Sequence, residues 1–248
     1  MRNLGTFLLL FGSIAFADSG CGDSTAGTSD AAQVIDGSIR PDAASNVVDA
    51  AGQQPSDARI GPDAVPNATM SFFVTSTGSG AAGGDLGGLD GADATCQNLA
   101  TNGGAGARTW HAYLSTGATG PGSAVDAKDR IGSGPWFNQG GTMVASSVAD
   151  LHANGILGTL MFDELGALVP GNEHDALTGT AGDGTLSSDS ETCDNWTNST
   201  VNSQAQVGHT DTETGDGESW NSQHSGSCDE ASLNGNAGTG RLYCFAID

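Results

Sequence analysis

The sequence predicts a loop-rich α+β domain that is held together by two disulfide bonds. Four cysteines, Cys96, Cys193, Cys228 and Cys244, follow an N-terminal export signal, and an even set in an exported chain indicates disulfides. Glycine is abundant, with 39 residues, and this composition favours loops over a helical bundle. Strand-like segments open and close the domain, with helical patterns between them, which is typical of mixed α+β folds.

Residues 1–20 are typical of a bacterial export signal, because Arg2 precedes an apolar run too short to span a bilayer. Cleavage after Ala17 would release a secreted protein. Cleavage before Cys21, whose surroundings resemble a lipoprotein box, would leave this cysteine acylated. We favour the lipoprotein, since lipid on Cys21 removes the odd fifth thiol. The expected location is the outer membrane or cell surface, with the lipid as the membrane anchor, and secretion is the alternative.

Residues 21–69 are rich in Asp, Ala, Ser, Gly and Pro and contain no aromatic residue, which predicts a disordered tether. Residues 70–248 have the length of one domain. This domain carries four basic and twenty-one acidic residues, a net charge of −17 with neutral histidines. So acidic a domain argues against nucleic acid as a partner.

The first predicted elements are a strand, a helix and a second strand. Ser71–Thr75 is aromatic and β-branched, as in strands. Asp90 is placed to cap a helix that ends at Asn102, before a Gly-Gly pair. Arg108–Ser115 alternates between apolar and polar side chains and is expected to form a half-buried strand.

Later segments predict one more helix and three strands. Val144–Asn154 has apolar residues at helical spacing, and Leu160–Glu164 has strand character. Ala176–Thr180 is a weaker strand candidate, and Arg241–Ile247 alternates as a terminal strand. We expect the first and last strands to pair side by side.

The cysteine spacing does not match a zinc site, because the domain has no C-x-x-C pair and no close Cys/His cluster. The sequence alone permits three disulfide pairings.

Several short motifs together resemble the endostatin domains of certain collagens and bacterial surface lipoproteins with the same C-type-lectin-like fold, a family of unknown function. The motifs are Gly87–Asp93, Cys96, Thr109–Ser115, Thr178–Thr180, Asp183–Gly184, Cys193–Thr197, Gly208, Trp220, Cys228 and Leu242–Cys244. The resemblance implies nested disulfides, Cys96–Cys244 outside and Cys193–Cys228 inside. Heparin binding and an endostatin-type zinc site are not expected, because the arginine-rich surface and the N-terminal histidines are missing.

Two acidic or polar segments have the residue types of calcium sites. Asp211, Glu213, Asp216 and Glu218 alternate on a glycine-bearing loop, although their register differs from an EF-hand. Asp194–Asn198 is similar to the calcium-and-sugar motif of C-type lectins. We favour a solvated loop for the first segment and a core role for Trp196 in the second, with calcium as the alternative. No other cofactor is expected.

Function is predicted to be binding without catalysis. The loops at 117–141 and 197–227 are expected to contact an extracellular glycan or a matrix or surface protein, with Trp136 and Trp220 as exposed aromatic contacts. A purely structural envelope protein is the first alternative, and a hydrolase is the second. The five histidines are scattered, and Glu173–Asp175 is interpreted as loop surface, so no catalytic residue is assigned. The scattered histidines are His111, His152, His174, His209 and His224.

Overall fold

A computed structural model describes Asn67, residues 69–212 and residues 219–248. The predicted export signal, Cys21 and nearly all of the predicted tether lie outside these residues, as do Glu213, Asp216 and Glu218. No helix in the described part of the chain is long and apolar enough to cross a membrane.

The described residues form a mixed α+β fold, as predicted. The strands are β1 (Phe72–Val74), β2 (Trp110–Ala112), β3 (Trp136–Phe137), β4 (Met143–Ala145), β5 (Asp175–Leu177), β6 (Gln204–His209), β7 (His224–Ser227), β8 (Gly238–Arg241) and β9 (Tyr243–Ala246). The helical elements are α1 (Gly88–Asn102), α2 (Val148–Asn154), the single turn α3 (Cys193–Trp196) and α4 (Glu230–Gly235).

The predicted pairing of the first and last strands is confirmed. Strand β9 lies between β1 and β2 in an antiparallel three-stranded sheet. Its side chains alternate between two apolar clusters: Cys244 and Ala246 pack with α1, whereas Tyr243 and Phe245 pack with α2 and β3. Both faces of β9 are therefore buried. Its alternating side chains divide between two parts of the core and do not form a buried face and a solvent-exposed face.

Two disulfides fasten this core. Cys96 of α1 is bonded to Cys244 of β9, with their Cα atoms 5.5 Å apart. Cys193 is bonded to Cys228, with a Cα separation of 5.8 Å. This is the nested pairing that the resemblance implied, and two disulfides indicate an extracellular or otherwise oxidising environment.

A second sheet has the strand order β7-β6-β5-β8. β5 runs antiparallel to β6 and parallel to β8, and β6 runs antiparallel to β7. Gly208 lets the β6–β7 connection fold back on β6, since a Cβ there would lie 1.9 Å from the carbonyl oxygen of Trp220. The first residues of β5, the end of β6 and the start of β7 thus meet at one end of the sheet.

One predicted strand is wrong, and two predicted helices begin at other residues than expected. Leu160–Glu164 is not a strand: it leaves a 3-10 turn at Gly158–Leu160 and makes only isolated bridges. The reason is local, because the carboxylate of Asp163 accepts from the backbone N–H groups of Leu165 and Ala167 and closes a tight loop.

The second error concerns helix starts. Val144 belongs to β4, and α2 begins only at Val148 after Ser147 accepts from the N–H of Asp150. Helix α1 begins at Gly88 rather than at an Asp90 cap, because Gly87 adopts a φ of 77° before the first turn.

The α3 turn is left-handed. Its four residues have φ values of 48°, 51°, 57° and 65°, although none is glycine. Such a conformation costs about 1–2 kcal/mol per residue. The buried side chain of Asn195 compensates, because its Oδ1 accepts from the N–H of Gly117 and its Nδ2 donates to the carbonyls of Gly117 and Pro121.

Trp196 follows in the same turn and is fully buried. Its indole N–H donates to the carbonyl oxygen of Ser115 at 2.9 Å. The lectin-like segment at 194–198 therefore contributes its Asn195 and Trp196 side chains to the core, with no amide group of Asn195 left over for a ligand.

Replacing Asn195 with Ala tests this constraint. The change leaves the buried N–H and carbonyl groups of Gly117 without partners, at about 1–3 kcal/mol each. We expect the free energy of unfolding to fall by about 3 kcal/mol or more in urea denaturation. Asn198→Ala, one turn away and part-exposed, is the control and should change it by less than about 0.5 kcal/mol. Equal losses in the two variants would contradict the argument.

Candidate metal centre

The end of the second sheet brings together one aspartate and three histidines that are far apart in the sequence. Asp175 of β5 lies directly opposite His209 of β6. His224 of β7 pairs with Val207, two residues before His209, so these histidines share one face of the sheet. His174 immediately precedes β5, and the carbonyl of this residue accepts from the N–H of Thr210.

The histidine nitrogens converge on the carboxylate of Asp175. Its Oδ1 lies 3.3 Å from Nε2 of His174 and 3.1 Å from Nε2 of His209. Its Oδ2 lies 3.4 Å from Nε2 of His224. One ligand atom from each of His174, Asp175 and His209 can be chosen so that all lie within 4.8 Å of one another.

Two atoms at the centre of the cluster are buried without a hydrogen bond. They are Oδ1 of Asp175 and Nε2 of His209. Although 3.1 Å separates them, they are not aligned as donor and acceptor. Asp175 is only 4% exposed, so little bulk solvent reaches this carboxylate. Buried polar atoms are almost always paired, and a bound ion is one of the explanations for an exception of this kind.

Burial also shifts the pKa of two members of the cluster. It raises the pKa of Asp175 above its usual value, against the opposing effect of the three histidines. It lowers the pKa of His209, against the opposing charge of Asp175. A lowered pKa keeps the His209 imidazole neutral, which is the form that binds metal ions.

A second set of contacts orients the rings. Nδ1 of His174 lies 2.6 Å from the carbonyl oxygen of Gly171, which can only accept, so in the neutral ring the hydrogen is on Nδ1 and the lone pair on Nε2. The carboxylate of Asp211 lies 3.7 Å from Nδ1 of His174 and 3.9 Å from Nδ1 of His209. The carbonyl behind His174 is a partner of the kind found behind ligating histidines, whereas Asp211 lies beyond hydrogen-bond distance of both rings.

Glu173, which precedes the cluster in the sequence, has a structural role. Glu173 forms an ion pair with Arg241 of β8, whose Nε lies 3.1 Å from Oε2 of the glutamate. Arg241 also donates to the carbonyl of Thr75 next to β1. The interpretation of Glu173–Asp175 as loop surface is therefore wrong, because Asp175 is a buried strand residue and Glu173 holds Arg241, the side chain that links the two sheets.

The predicted aromatic contacts are also wrong. Trp136 is 1% exposed and Trp220 is 4% exposed. Trp136 packs edge-on against Phe245, and Trp220 packs against Tyr113 with ring centroids 4.8 Å apart. Burial of their large apolar rings stabilises the second core cluster, which leaves neither side chain at the surface.

The remaining predicted site residues lie apart from one another or beyond the described residues. Of the acidic loop, the structure describes Asp211, which lies beside His174 and His209. His111 faces Asp93 at 3.8 Å, and the carboxylate of Asp93 holds Arg130 and the N–H of Ala112.

Sequence reasoning missed the cluster because its members are adjacent only through strand register. The one local signal was the His174–Asp175 pair. No protein-family model matches this chain, and no curated protein matches it.

Asp175→Asn tests the unpaired carboxylate in metal-free, chelator-treated protein. Because burial raises the pKa of Asp175, its charged form destabilises the fold, and this penalty is fully present above that pKa. At pH 8 we expect the variant to be more stable by about 1–3 kcal/mol, with a Tm rise of about 2–4 °C per kcal/mol in calorimetry. Asp211→Asn, at a half-exposed carboxylate, is the control and should leave Tm unchanged. A lower Tm for Asp175→Asn would contradict this account.

Proposed function

We propose that this chain is an exported, non-enzymatic binding domain. It holds a divalent metal ion, most favourably zinc, through His174, Asp175 and His209. The observation that carries the proposal is the buried Oδ1 of Asp175, which has no hydrogen bond and lies within 3.3 Å of two imidazole nitrogens.

The spacing of these atoms suits a small tetrahedral ion. Ligands at 2.0–2.1 Å from zinc lie about 3.3 Å from one another when the geometry is tetrahedral. The distances of 3.1 and 3.3 Å from Oδ1 to the two nitrogens agree with this ligand-to-ligand distance. Calcium is disfavoured at this cluster, because it takes oxygen ligands and two of these three donors are nitrogens.

The proposed fold family and extracellular ligand come from features of the sequence. We propose a C-type-lectin-like body, supported by the mixed α+β fold, the paired terminal strands and the nested disulfides. The extracellular ligand would be a glycan or a surface protein, met by the loops rather than by Trp136 or Trp220. The alternative is a structural envelope component, which would show no saturable ligand. Calcium binding by the acidic loop stays a prediction.

Zinc titration of the full chain tests the metal site. At a zinc concentration of 100 times Kd, binding should stabilise the fold by about 2.7 kcal/mol, which corresponds to a Tm rise of about 5–10 °C. Isothermal titration should give one zinc per chain. His209→Ala should weaken zinc binding by about 100-fold or more, because it removes the most buried nitrogen ligand.

His111→Ala is the matched control, since it removes a histidine outside the cluster and should bind zinc as the wild type does. The absence of saturable zinc binding in the wild type would overturn the proposal. So would an unchanged zinc affinity in His209→Ala, or an equal Tm rise with calcium that persists in that variant.

Lipidation of Cys21 can be tested separately. If Cys21 is lipidated, mass spectrometry of the mature protein from a bacterial host should find an acylated N-terminal peptide that begins with this residue. Cys21→Ser should then appear without lipid and leave the membrane fraction. A mature N-terminus at Asp18 with an unmodified Cys21 would show secretion instead.

A further inference from the structure

The fourth histidine differs from the other two around Asp175. His174 and His209 both approach Oδ1 of the carboxylate, whereas His224 approaches Oδ2 at 3.4 Å. Its side chain is 40% exposed, against 22% for His174 and 13% for His209. The compact group within 4.8 Å includes the latter two and Asp175 but not His224. Three inner donors are therefore accompanied by one outer donor on the solvent side.

The position of His224 in the fold leaves its side chain open to solvent on one side. It is the first residue of β7, which is the edge strand of its sheet. The residues that follow it, Ser225, Gly226 and Ser227, are small and partly or fully exposed. Because β7 has a neighbouring strand on one side only, the side chain of His224 is less enclosed than those of Asp175 and His209.

We propose, on the basis of the metal site proposed above, that the fourth coordination position of the ion is exchangeable. His224 takes it at rest after a shift of its side chain toward the ion, and an imidazole from a histidine of an extracellular polypeptide partner takes it on binding. A site with three protein ligands and one replaceable ligand is the open type, which catalytic zinc sites use for water or substrate and to which we assign a protein donor here.

Charge decides which outside donor suits this position. A divalent ion is balanced by the carboxylates of Asp175 and Asp211, the second of which lies 3.7 and 3.9 Å from the ring nitrogens of the inner histidines. Glu173 adds no uncompensated charge because Arg241 pairs with it. The balanced centre stands in a domain with a net charge of −17, so an anionic donor is repelled at long range. A neutral imidazole meets no such repulsion, and it is a donor that zinc and cobalt prefer.

Cobalt(II) gives the direct readout, because its visible absorption changes with the ligand at each position. The full chain is first loaded with one Co²⁺, and imidazole is then titrated in. We expect a saturable change in the cobalt spectrum for the wild type. In His224→Ala we expect Co²⁺ to remain bound and imidazole to bind at least tenfold more tightly, since no internal ligand competes. Acetate should bind at least tenfold more weakly than imidazole in both proteins.

The outcomes separate this inference from the metal site itself. Cobalt binding with no response to imidazole in either protein would overturn the exchangeable position and leave the metal site standing. Loss of cobalt from His224→Ala would make His224 an essential ligand and overturn it too, as would acetate binding as tight as imidazole. His111→Ala should behave as the wild type. A wild-type chain that does not bind cobalt at all overturns both proposals.

Discussion

The Cys96–Cys244 disulfide is the constraint on which the rest of the structure depends. It joins α1 to β9, the strand that lies between β1 and β2 and whose two faces belong to two different apolar clusters. β8 precedes β9 by one residue and pairs with β5, the strand that carries Asp175. The crosslink therefore positions the first sheet directly, and it positions the candidate metal ligands through β8, which leads into β9. In a core of short strands, such a covalent bond adds stability beyond that of the backbone hydrogen bonds, because it limits the conformations of the unfolded chain.

The parts of the fold that the sequence could predict are those with apolar patterns. β1, α1 and β9 have aromatic, β-branched or helically spaced apolar residues, and all three are present. β7 has the sequence His-Ser-Gly-Ser, with no apolar residue and no alternation. It is a strand because β6 pairs with it and because Cys228, the next residue, is tied to Cys193. Tertiary pairing of this kind leaves no local pattern for a sequence to reveal.

The candidate site could not be predicted from the sequence for a related reason. Metal sites are recognised in sequence when their ligands share one helix or one loop at fixed spacing. Here the candidate residues come from the starts of β5 and β7 and from the end of β6, and the registers of β5 with β6 and of β6 with β7 make them neighbours. The two tryptophans show the opposite error, since loop-like surroundings suggested exposure for side chains that the second core cluster needs.

The antiparallel pairing of β1 with β9 has a topological consequence. Phe72 lies opposite Phe245, and the N–H of Ala246 donates to the carbonyl of Ser71. The start and the end of the domain are thus neighbours at one end of the same sheet. A short linker between residues 248 and 70 would close the domain into a ring without crossing its surface, so the body is suited to circular permutation, and a fusion at Asp248 would emerge beside the point where the upstream chain enters.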